Sequence, residues 1–298
     1  MSSIVRFRQE LGQWLVRGLD DGLAPTALVQ TMIDEHMQPA VAHAIVDAFV
    51  GARRAGVALP VDSLVIEDVN GEAPIFFREA PVMRFGASVP TSDGPVRVLA
   101  RGGGPNLALV GGLLSPAECE ELVALARPRL EASTVVDPQT GQDVVAGYRN
   151  SQGMFFRPGE TDFIARLDRR FSEVMNLPAR NGEGLQVLCY GPGGATSPHF
   201  DFVAPTNAAN EASVARSGQR VSTLLAYLTD VEEGGETDFP RAGWTVQPAR
   251  GNAIYFESCN TRGQLDPLSL HSGRAVVRGE KWVVTKWMRQ RRFVARGA

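Results

Sequence analysis

The chain has 298 residues, of which 44% are apolar and 21% charged, and its formal net charge is −3. These proportions are ordinary for a soluble globular protein, and the slightly negative charge argues against nucleic acid as a partner. No apolar run reaches the roughly 18 residues that a membrane-spanning helix needs, and the N-terminus lacks the apolar core of a signal peptide. The three cysteines form no paired motif, so we expect a cytoplasmic protein that does not contact a membrane.

The first predicted elements are helices. Leu11, Trp14 and Leu15 recur at three- and four-residue steps, as on one face of a helix. Pro25 and Pro39 stand where the first turns of a second and a third helix would begin. We therefore predict a small helical N-terminal unit over residues 1–58. It carries no recognisable chemistry, and we expect it to recruit a partner or a substrate.

Between residues 59 and 100, glycine and proline become frequent, which indicates a linker. Short strands are expected within it, at residues 64–69, 82–85 and 96–100. The run Gly102-Gly103-Gly104-Pro105 marks a break, so we place the functional boundary near residue 100. The domain that carries the chemistry is then predicted to cover residues 101–298.

This second domain is predicted to be mostly β, with a clear helix signal near its start. Ser115 suits a helix N-cap, Pro116 the first helical position and Glu118 the third. A second helix is predicted over residues 163–175. Strand signals dominate the rest of the chain, and they fall at residues 185–190, 221–228, 253–256, 275–277 and 282–288. Short strands separated by Gly- and Asp-rich turns predict a sandwich or a barrel-like roll.

The second domain contains two histidines. His199 belongs to the tripeptide His199-Phe200-Asp201, and residues two apart on a strand point to the same side, so the imidazole and the carboxylate can converge. His271 could complete a set of three ligands. Two imidazoles and one carboxylate on one face of an octahedron leave three positions open, as a non-haem Fe(II) oxygenase requires. Taken alone, the tripeptide also fits a hydrogen-bonded histidine beside a strand aspartate.

Lys281 follows His271 across a predicted turn at residues 278–280. A hairpin there would return the lysine toward the metal side. Its ammonium group could then neutralise the far carboxylate of a dicarboxylic cosubstrate. A surface lysine is the ordinary alternative for this residue taken alone.

Seven sequence blocks, taken together, resemble the prolyl 4-hydroxylases and occur in that family's order. They are LLSPAEC at 113–119, LQVLCY at 185–190, SPHFDF at 197–202, RVSTLLAYL at 220–228, VEEGGETDFP at 231–240, SLH at 269–271 and GEKWVVTKW at 279–287. The resemblance covers roughly residues 105–290 and leaves the first 100 residues outside it. It implies a mainly β fold with flanking helices, in which a double-stranded β-helix, or jelly roll, follows the helical N-terminal unit.

The resemblance also implies the cofactors. His199, Asp201 and His271 match the ligands of Fe(II), and Lys281 matches the partner of the C5 carboxylate of 2-oxoglutarate. Ascorbate is implied as the reductant that restores over-oxidised iron. The implied reaction hydroxylates an unactivated C–H bond, at C4 of a peptidyl proline, and releases succinate and CO₂.

Four further residues match binding positions of the family. Tyr190 and Thr237 match residues that help to hold 2-oxoglutarate, whereas Arg220 and Trp287 match positions near a peptide substrate. Without the resemblance, Tyr190 and Trp287 could be core residues, Thr237 a turn residue and Arg220 a surface charge.

Two departures from the family pattern bear on the substrate. The family often has an aromatic residue three positions before its first iron-binding histidine, where this chain has Thr196, and it often has Cys-Pro after its second histidine, where this chain has Ser272-Gly273. The expected substrate is therefore a proline-containing peptide or protein, or alternatively a free amino acid or another small molecule. The alternative from another functional class is a binding module that keeps the fold and has no catalytic activity. The chain could also assemble as a homodimer.

Two stretches rich in glycine and polar residues are candidate lids over the site, residues 137–153 and 203–219. Plain surface loops are the alternative for both, although loops on a β scaffold often carry specificity.

Overall fold

The computed structural model describes residues 3–35, 37–55, 59–60, 63–66, 76–132, 134–136, 143–145, 151–205 and 207–295. The chain divides into two compact units, residues 1–76 and residues 77–298. Within the described ranges, no helix combines the length and the apolar character that crossing a bilayer would need.

In its described residues, the first unit contains three helices and one strand pair. They are β1 (Ser3–Arg6), α1 (Gln9–Asp20), α2 (Pro25–Asp34), α3 (Pro39–Ala55) and β2 (Ser63–Ile66). The helices bury apolar side chains such as Leu15, Leu28, Ile45 and Phe49 in a common core. The predicted N-terminal helices are confirmed, and the bounds 1–58 of the unit stay a prediction. The strand expected at 64–69 pairs antiparallel with β1, so its described part belongs to this unit, and residues 67–69 lie outside the described ranges.

The second unit is rich in strands. They are β3 (Ser88–Val89), β4 (Val96–Gly103), β5 (Asn106–Gly111), β6 (Glu131–Ala132), β7 (Thr134–Val136), β8 (Asp143–Val145), β9 (Gln152–Phe155), β10 (Gln186–Tyr190), β11 (Thr196–His199), β12 (Arg220–Tyr227), β13 (Glu233–Gly234), β14 (Thr237–Phe239), β15 (Trp244–Val246), β16 (Ala253–Glu257), β17 (His271–Gly273), β18 (Val276–Arg278) and β19 (Lys281–Arg289). One sheet has the order β3-β4-β5-β16-β12-β19-β10-β9-β6, and a second has the order β11-β17-β14-β15. The pairs β13-β18 and β7-β8 are separate.

The two larger sheets enclose one core, and helices cover a second. Leu188, Tyr227 and Phe256 of the nine-stranded sheet pack with Phe239 and Val246 of the four-stranded sheet. Helices α4 (Pro116–Ala126) and α5 (Asp162–Val174) pack on the nine-stranded sheet and bury residues that include Leu122 and Phe171. Two facing antiparallel sheets with helices on one outer side match the predicted jelly roll.

Some predicted elements differ in the structure. Residues 82–85 do not form a strand, because the Val82 amide donates to Glu257 Oε1 (2.6 Å) and Met83 is buried in the core instead of joining a ladder. Strand β3 precedes residue 100 and strand β4 crosses it, yet both strands join the nine-stranded sheet. The functional boundary near residue 100 stays a prediction.

We expect Ser115→Ala to lower the free energy of unfolding by about 1 kcal/mol, the usual value of a helix cap. Ser115 Oγ accepts from the Glu118 amide (3.2 Å), and Glu118 Oε2 accepts from the Ser115 amide (2.9 Å), so the substitution breaks a capping box. Urea denaturation measures the loss. Ser115→Thr keeps the hydroxyl and serves as the control, and equal stability of both variants would contradict the capping role.

Candidate functional site

The two histidines of the predicted triad face each other across the β11-β17 pair, where His199 and His271 are register partners. Asp201 follows the end of β11 and is buried. One oxygen of its carboxylate lies 3.8 Å from Nε2 of His199 and the other lies 3.8 Å from Nε2 of His271. Potential ligand atoms of all three residues lie within 4.8 Å of one another. The structure thus brings the three predicted ligands together.

Hydrogen bonds orient each of these side chains. Nδ1 of His199 lies 2.9 Å from the Ser197 carbonyl, and Nδ1 of His271 lies 2.9 Å from the Ser269 carbonyl. A carbonyl oxygen only accepts, so each Nδ1 donates, and each Nε2 presents a lone pair to the centre of the triad. Asp201 Oδ2 accepts a hydrogen bond from Thr223 Oγ1 (2.7 Å), which fixes the carboxylate. Sequence reasoning missed Thr223, because only the sheet pairing brings β12 under Asp201.

The surroundings of the triad suit a bound cation. Burial alone would raise the pKa of the Asp201 carboxyl, but the electrostatic interactions with His271, His199 and Arg220 and the hydrogen bond from Thr223 lower the pKa to about 2, so the carboxylate is ionised and can bind a cation. The aromatic rings of Phe239 and Phe256 lie 5.5 and 4.6 Å from the His271 ring and keep that side dry. Two neutral imidazoles and a carboxylate with open positions form the donor set that non-haem Fe(II) prefers.

A cavity extends from the triad to Lys281. Its lining residues are Gln186, Leu188, Tyr190, Thr196, His199, Asp201, Leu225, Thr237, His271, Ser272, Gly273, Lys281, Val283, Thr285 and Trp287. Lys281 is opposite Tyr190 in the β10-β19 register, and it is 4% exposed. Burial lowers the pKa of its ammonium group to about 8, although the charge of Glu236 raises it. Among the residues that the structure describes, no carboxylate lies within 4.0 Å of this ammonium, so the cavity suits an anionic ligand.

Two tyrosine–threonine pairs flank Lys281. The ammonium lies 5.7 Å from the ring of Tyr190 and 5.9 Å from the ring of Tyr227. The Tyr190 and Thr196 hydroxyls are 2.9 Å apart, and the Tyr227 hydroxyl donates to Thr237 (2.8 Å). Tyr190 and Thr237 are predicted site residues, whereas sequence reasoning missed Tyr227 and noted Thr196 only as a departure. The signal for Tyr227 would be its register with Val283 on β19, which sequence alone does not give.

The residues predicted near a substrate form a stack. The Arg220 guanidinium lies 4.0 Å above the Trp287 ring, and Trp287 lines the cavity. Arg220 itself does not line it. Its Nε and Nη2 donate to Glu183 Oε1 (2.7 Å) and Oε2 (2.8 Å). Glu183 was also missed, because it precedes β10 in a loop whose sequence has no recognisable pattern.

The second candidate lid contains a helix that sequence reasoning did not predict, α6 (Ala208–Ser217). Asn207 caps its first turn, since its side chain accepts from the Asn210 amide (2.9 Å). The Gln219 side chain bonds both the amide and the carbonyl of Val203 (2.6 and 2.8 Å) and so closes the base of this segment. Of the other candidate lid, residues 137–142 and 146–150 lie outside the described ranges.

Comparisons with known proteins identify the class of the site. The model of the 2OG-Fe(II) oxygenase superfamily matches residues 185–289. Prolyl 4-hydroxylase 1 of Arabidopsis thaliana is 44% identical over 202 residues, which are 63% of this chain and 70% of that protein. Probable prolyl 4-hydroxylase 3 of the same plant is 40% identical over 203 residues, 62% of this chain and 69% of that protein. A solved viral collagen prolyl hydroxylase from Paramecium Bursaria Chlorella virus-1 is 30% identical with a TM-score of 0.48, over 61% of this chain and 94% of that one.

The matched region contains the triad, Lys281 and the cavity between them, so the chain is an Fe(II)- and 2-oxoglutarate-dependent dioxygenase. Its identity to the plant enzymes, over more than two thirds of their length, places it in the prolyl 4-hydroxylase family.

We expect Thr223→Val to weaken metal binding by about 10- to 100-fold, the usual effect of removing a hydrogen-bond partner of a metal ligand. The variant keeps the shape of the side chain but leaves Asp201 Oδ2 without its donor. Anaerobic titration with Fe(II), and with Mn(II) as a redox-inert probe, measures the dissociation constants. Thr223→Ser restores the hydroxyl and should bind like the wild type. Unchanged affinity in Thr223→Val would remove Thr223 from the metal site.

Proposed function

We propose that this protein hydroxylates C4 of proline residues in a peptide or protein. One observation supports this proposal above the others: the triad, the buried Lys281 and Trp287 line a single cavity. The names of the plant relatives point to the same substrate. A metal centre, an anion site and an aromatic surface that meet in one space would hold iron, cosubstrate and peptide together.

Iron would be held by Nε2 of His199, Nε2 of His271 and the carboxylate of Asp201. Iron and 2-oxoglutarate, when bound, supply the oxidising power that puts one atom of O₂ into a C–H bond with release of succinate and CO₂. Thr223 keeps the carboxylate oriented, and Phe239 and Phe256 exclude water on the His271 side. The side chain of His199 is 38% exposed and that of His271 is 6% exposed, so reactants would enter on the His199 side.

The C5 carboxylate of 2-oxoglutarate would bind Lys281. An ammonium group that is buried without a carboxylate partner gains most from an incoming anion, because the desolvation has already occurred in folding. In each tyrosine–threonine pair, one hydroxyl group donates its proton to the oxygen of the other. The second hydroxyl group of each pair keeps its proton available for a hydrogen bond to the C5 carboxylate of 2-oxoglutarate. Ascorbate is proposed as the reductant that returns over-oxidised iron to Fe(II).

Trp287 and Arg220 would receive the peptide. A proline ring packs well on an aromatic face, and Arg220 holds the Trp287 ring on one of its faces. The guanidinium also offers donors for the carbonyl groups of a peptide, which a free amino acid has in smaller number.

We expect 2-oxoglutarate binding to weaken as pH rises through about 8, the pKa of Lys281 in the absence of ligand. Below this pKa the ammonium is charged and attracts the carboxylate, and above it the amine is neutral. Calorimetric titration of the Mn(II)-loaded protein between pH 6 and pH 10 measures the dissociation constant. Lys281→Met should bind weakly at every pH, and a wild-type affinity that does not change with pH would remove Lys281 from the cosubstrate site.

The substrate proposal is tested by mass spectrometry of proline-containing peptides incubated with protein, Fe(II), 2-oxoglutarate and ascorbate, while succinate is followed in the same tubes. We expect one oxygen atom to be added to a peptidyl proline for each succinate formed. Tandem fragmentation with a 4-hydroxyproline standard locates the oxygen at C4. Asp201→Ala should give neither product, because it loses a predicted metal ligand, and its residual turnover would contradict the ligand assignment.

Two other outcomes would redirect the proposal. Succinate without an oxidised peptide would favour a free amino acid or another small molecule as the substrate. Absence of both products from a protein that binds iron and 2-oxoglutarate would contradict the prolyl hydroxylase activity for the peptides tested.

A further inference from the structure

Arg289 and Arg220 form a pair of like charges at the end of the β12-β19 ladder, where they are register partners. Like charges directly opposite each other destabilise a sheet. The Glu183 carboxylate lies between them: Arg220 donates two hydrogen bonds to it, and Arg289 Nε lies 2.7 Å from Oε1. Arg289 is 3% exposed and Glu183 is 7% exposed, so their ion pair is buried, whereas the Arg220 side chain is half-buried at 22% exposure. The contact with Arg289 Nε lacks the alignment of a hydrogen bond, so Glu183 binds Arg220 through two hydrogen bonds and Arg289 through ion pairing.

The remaining nitrogens of Arg289 bind α6. Nη1 donates to the Gly218 carbonyl (2.8 Å), directly after the last residue of the helix, and Nη2 donates to Ser213 Oγ (2.9 Å). A cation at a helix C-terminus is favoured by the helix dipole. The planar guanidinium can hold Glu183 and α6 at the same time, which the single nitrogen of a lysine cannot do.

The main chain of Glu183 is fixed on β19 at both of its polar groups. Its amide donates to the Trp287 carbonyl (3.0 Å), and its carbonyl accepts from Lys286 Nζ (2.5 Å). Lys286 also pairs with Asp168 of α5 (2.5 Å). Because the Glu183 backbone is held, a shift of Arg289 acts on the Glu183 carboxylate and then on Arg220.

We propose that Arg289 is a positioning residue that couples α6 to the Arg220–Trp287 stack through Glu183. The consequence for catalysis rests on the proposed function, in which this stack receives the peptide. Peptide affinity then depends on Arg289, whereas 2-oxoglutarate affinity does not, since Lys281 lies at the other end of β19.

Arg289→Lys is the sharpest variant, because it keeps a cation beside Glu183 and loses the simultaneous bonds to α6. We expect the KM for a peptide substrate to rise about tenfold, which corresponds to a loss of about 1.4 kcal/mol in the free energy of binding. The dissociation constant of 2-oxoglutarate should stay within about twofold of the wild-type value. Equal changes in both constants would indicate a general structural defect and would overturn the proposal, as would an unchanged KM.

Arg291→Lys is the matched control. Arg291 Nη2 also donates to α6, at the carbonyls of Val214 (3.0 Å) and Ala215 (2.8 Å). Unlike Arg289, the Arg291 side chain makes no hydrogen bond or ion pair with Glu183 in the described part of the chain. Its substitution should leave the peptide KM within about twofold, because surface substitutions have small effects. An effect as large as that of Arg289→Lys would show that α6 alone is responsible, and would overturn the route through Glu183.

A second readout does not depend on the substrate. The quenching of Trp287 fluorescence by acrylamide is obtained by subtracting the signal of Trp287→Phe. This quenching should rise in Arg289→Lys and should not rise in Arg291→Lys. If Arg289→Lys does not fold, Ser213→Ala removes only the α6 end of the same contact and should raise quenching in the same direction. Unchanged quenching in the folded variants would overturn the coupling. If the wild type oxidises no peptide, the proposed function fails while the quenching comparison still decides the coupling.

Discussion

Burial of the whole of strand β19 is the constraint on which the site depends. All nine of its residues, from Lys281 to Arg289, are buried, yet the strand carries Lys281, Lys286 and Arg289 as cations. A buried charge is costly unless it has a partner. Asp168 pairs with Lys286 and Glu183 pairs with Arg289, whereas the described part of the chain offers Lys281 no carboxylate within 4.0 Å. Lys286 and Arg289 thus have carboxylate partners elsewhere in the protein, whereas Lys281 is left for a ligand.

The same strand sets the distances across the site. Register with β10 places Tyr190 opposite Lys281, and register with β12 places Thr223 opposite Trp287. Thr223 in turn orients Asp201, so the triad and the Arg220–Trp287 stack are connected through neighbouring strands. Side chains on rigid strands hold their positions better than side chains on loops, which suits a reaction that needs three reactants aligned. Helix α6, bonded to Arg289, extends this framework to the chain between Asp201 and Arg220.

Much of this arrangement could be predicted from the sequence, because its strongest signals are local. The alternation of His199 and Asp201 indicates a shared face, and the strand signal at 282–288 predicts a strand that the structure extends by one residue at each end. Thr223, Tyr227 and Glu183 could not be found in this way, because each acts through a partner far away in sequence. Helix α6 was missed because its ten residues, AANEASVARS, have little apolar periodicity, and the Asn207 cap and the arginines of the C-terminal segment stabilise it instead.

We infer that the triad and Lys281 form one Fe(II)- and 2-oxoglutarate-binding centre. Chelation of Fe(II) by a 2-oxo acid gives a visible charge-transfer absorption, so anaerobic absorption spectroscopy of the iron-loaded protein during titration with 2-oxoglutarate tests the claim most directly. We expect a band that saturates at one 2-oxoglutarate per chain. The band should be absent from His271→Ala, and in Lys281→Met it should need a higher concentration of 2-oxoglutarate. An iron-loaded protein without the band, or a band of full intensity in His271→Ala, would contradict it.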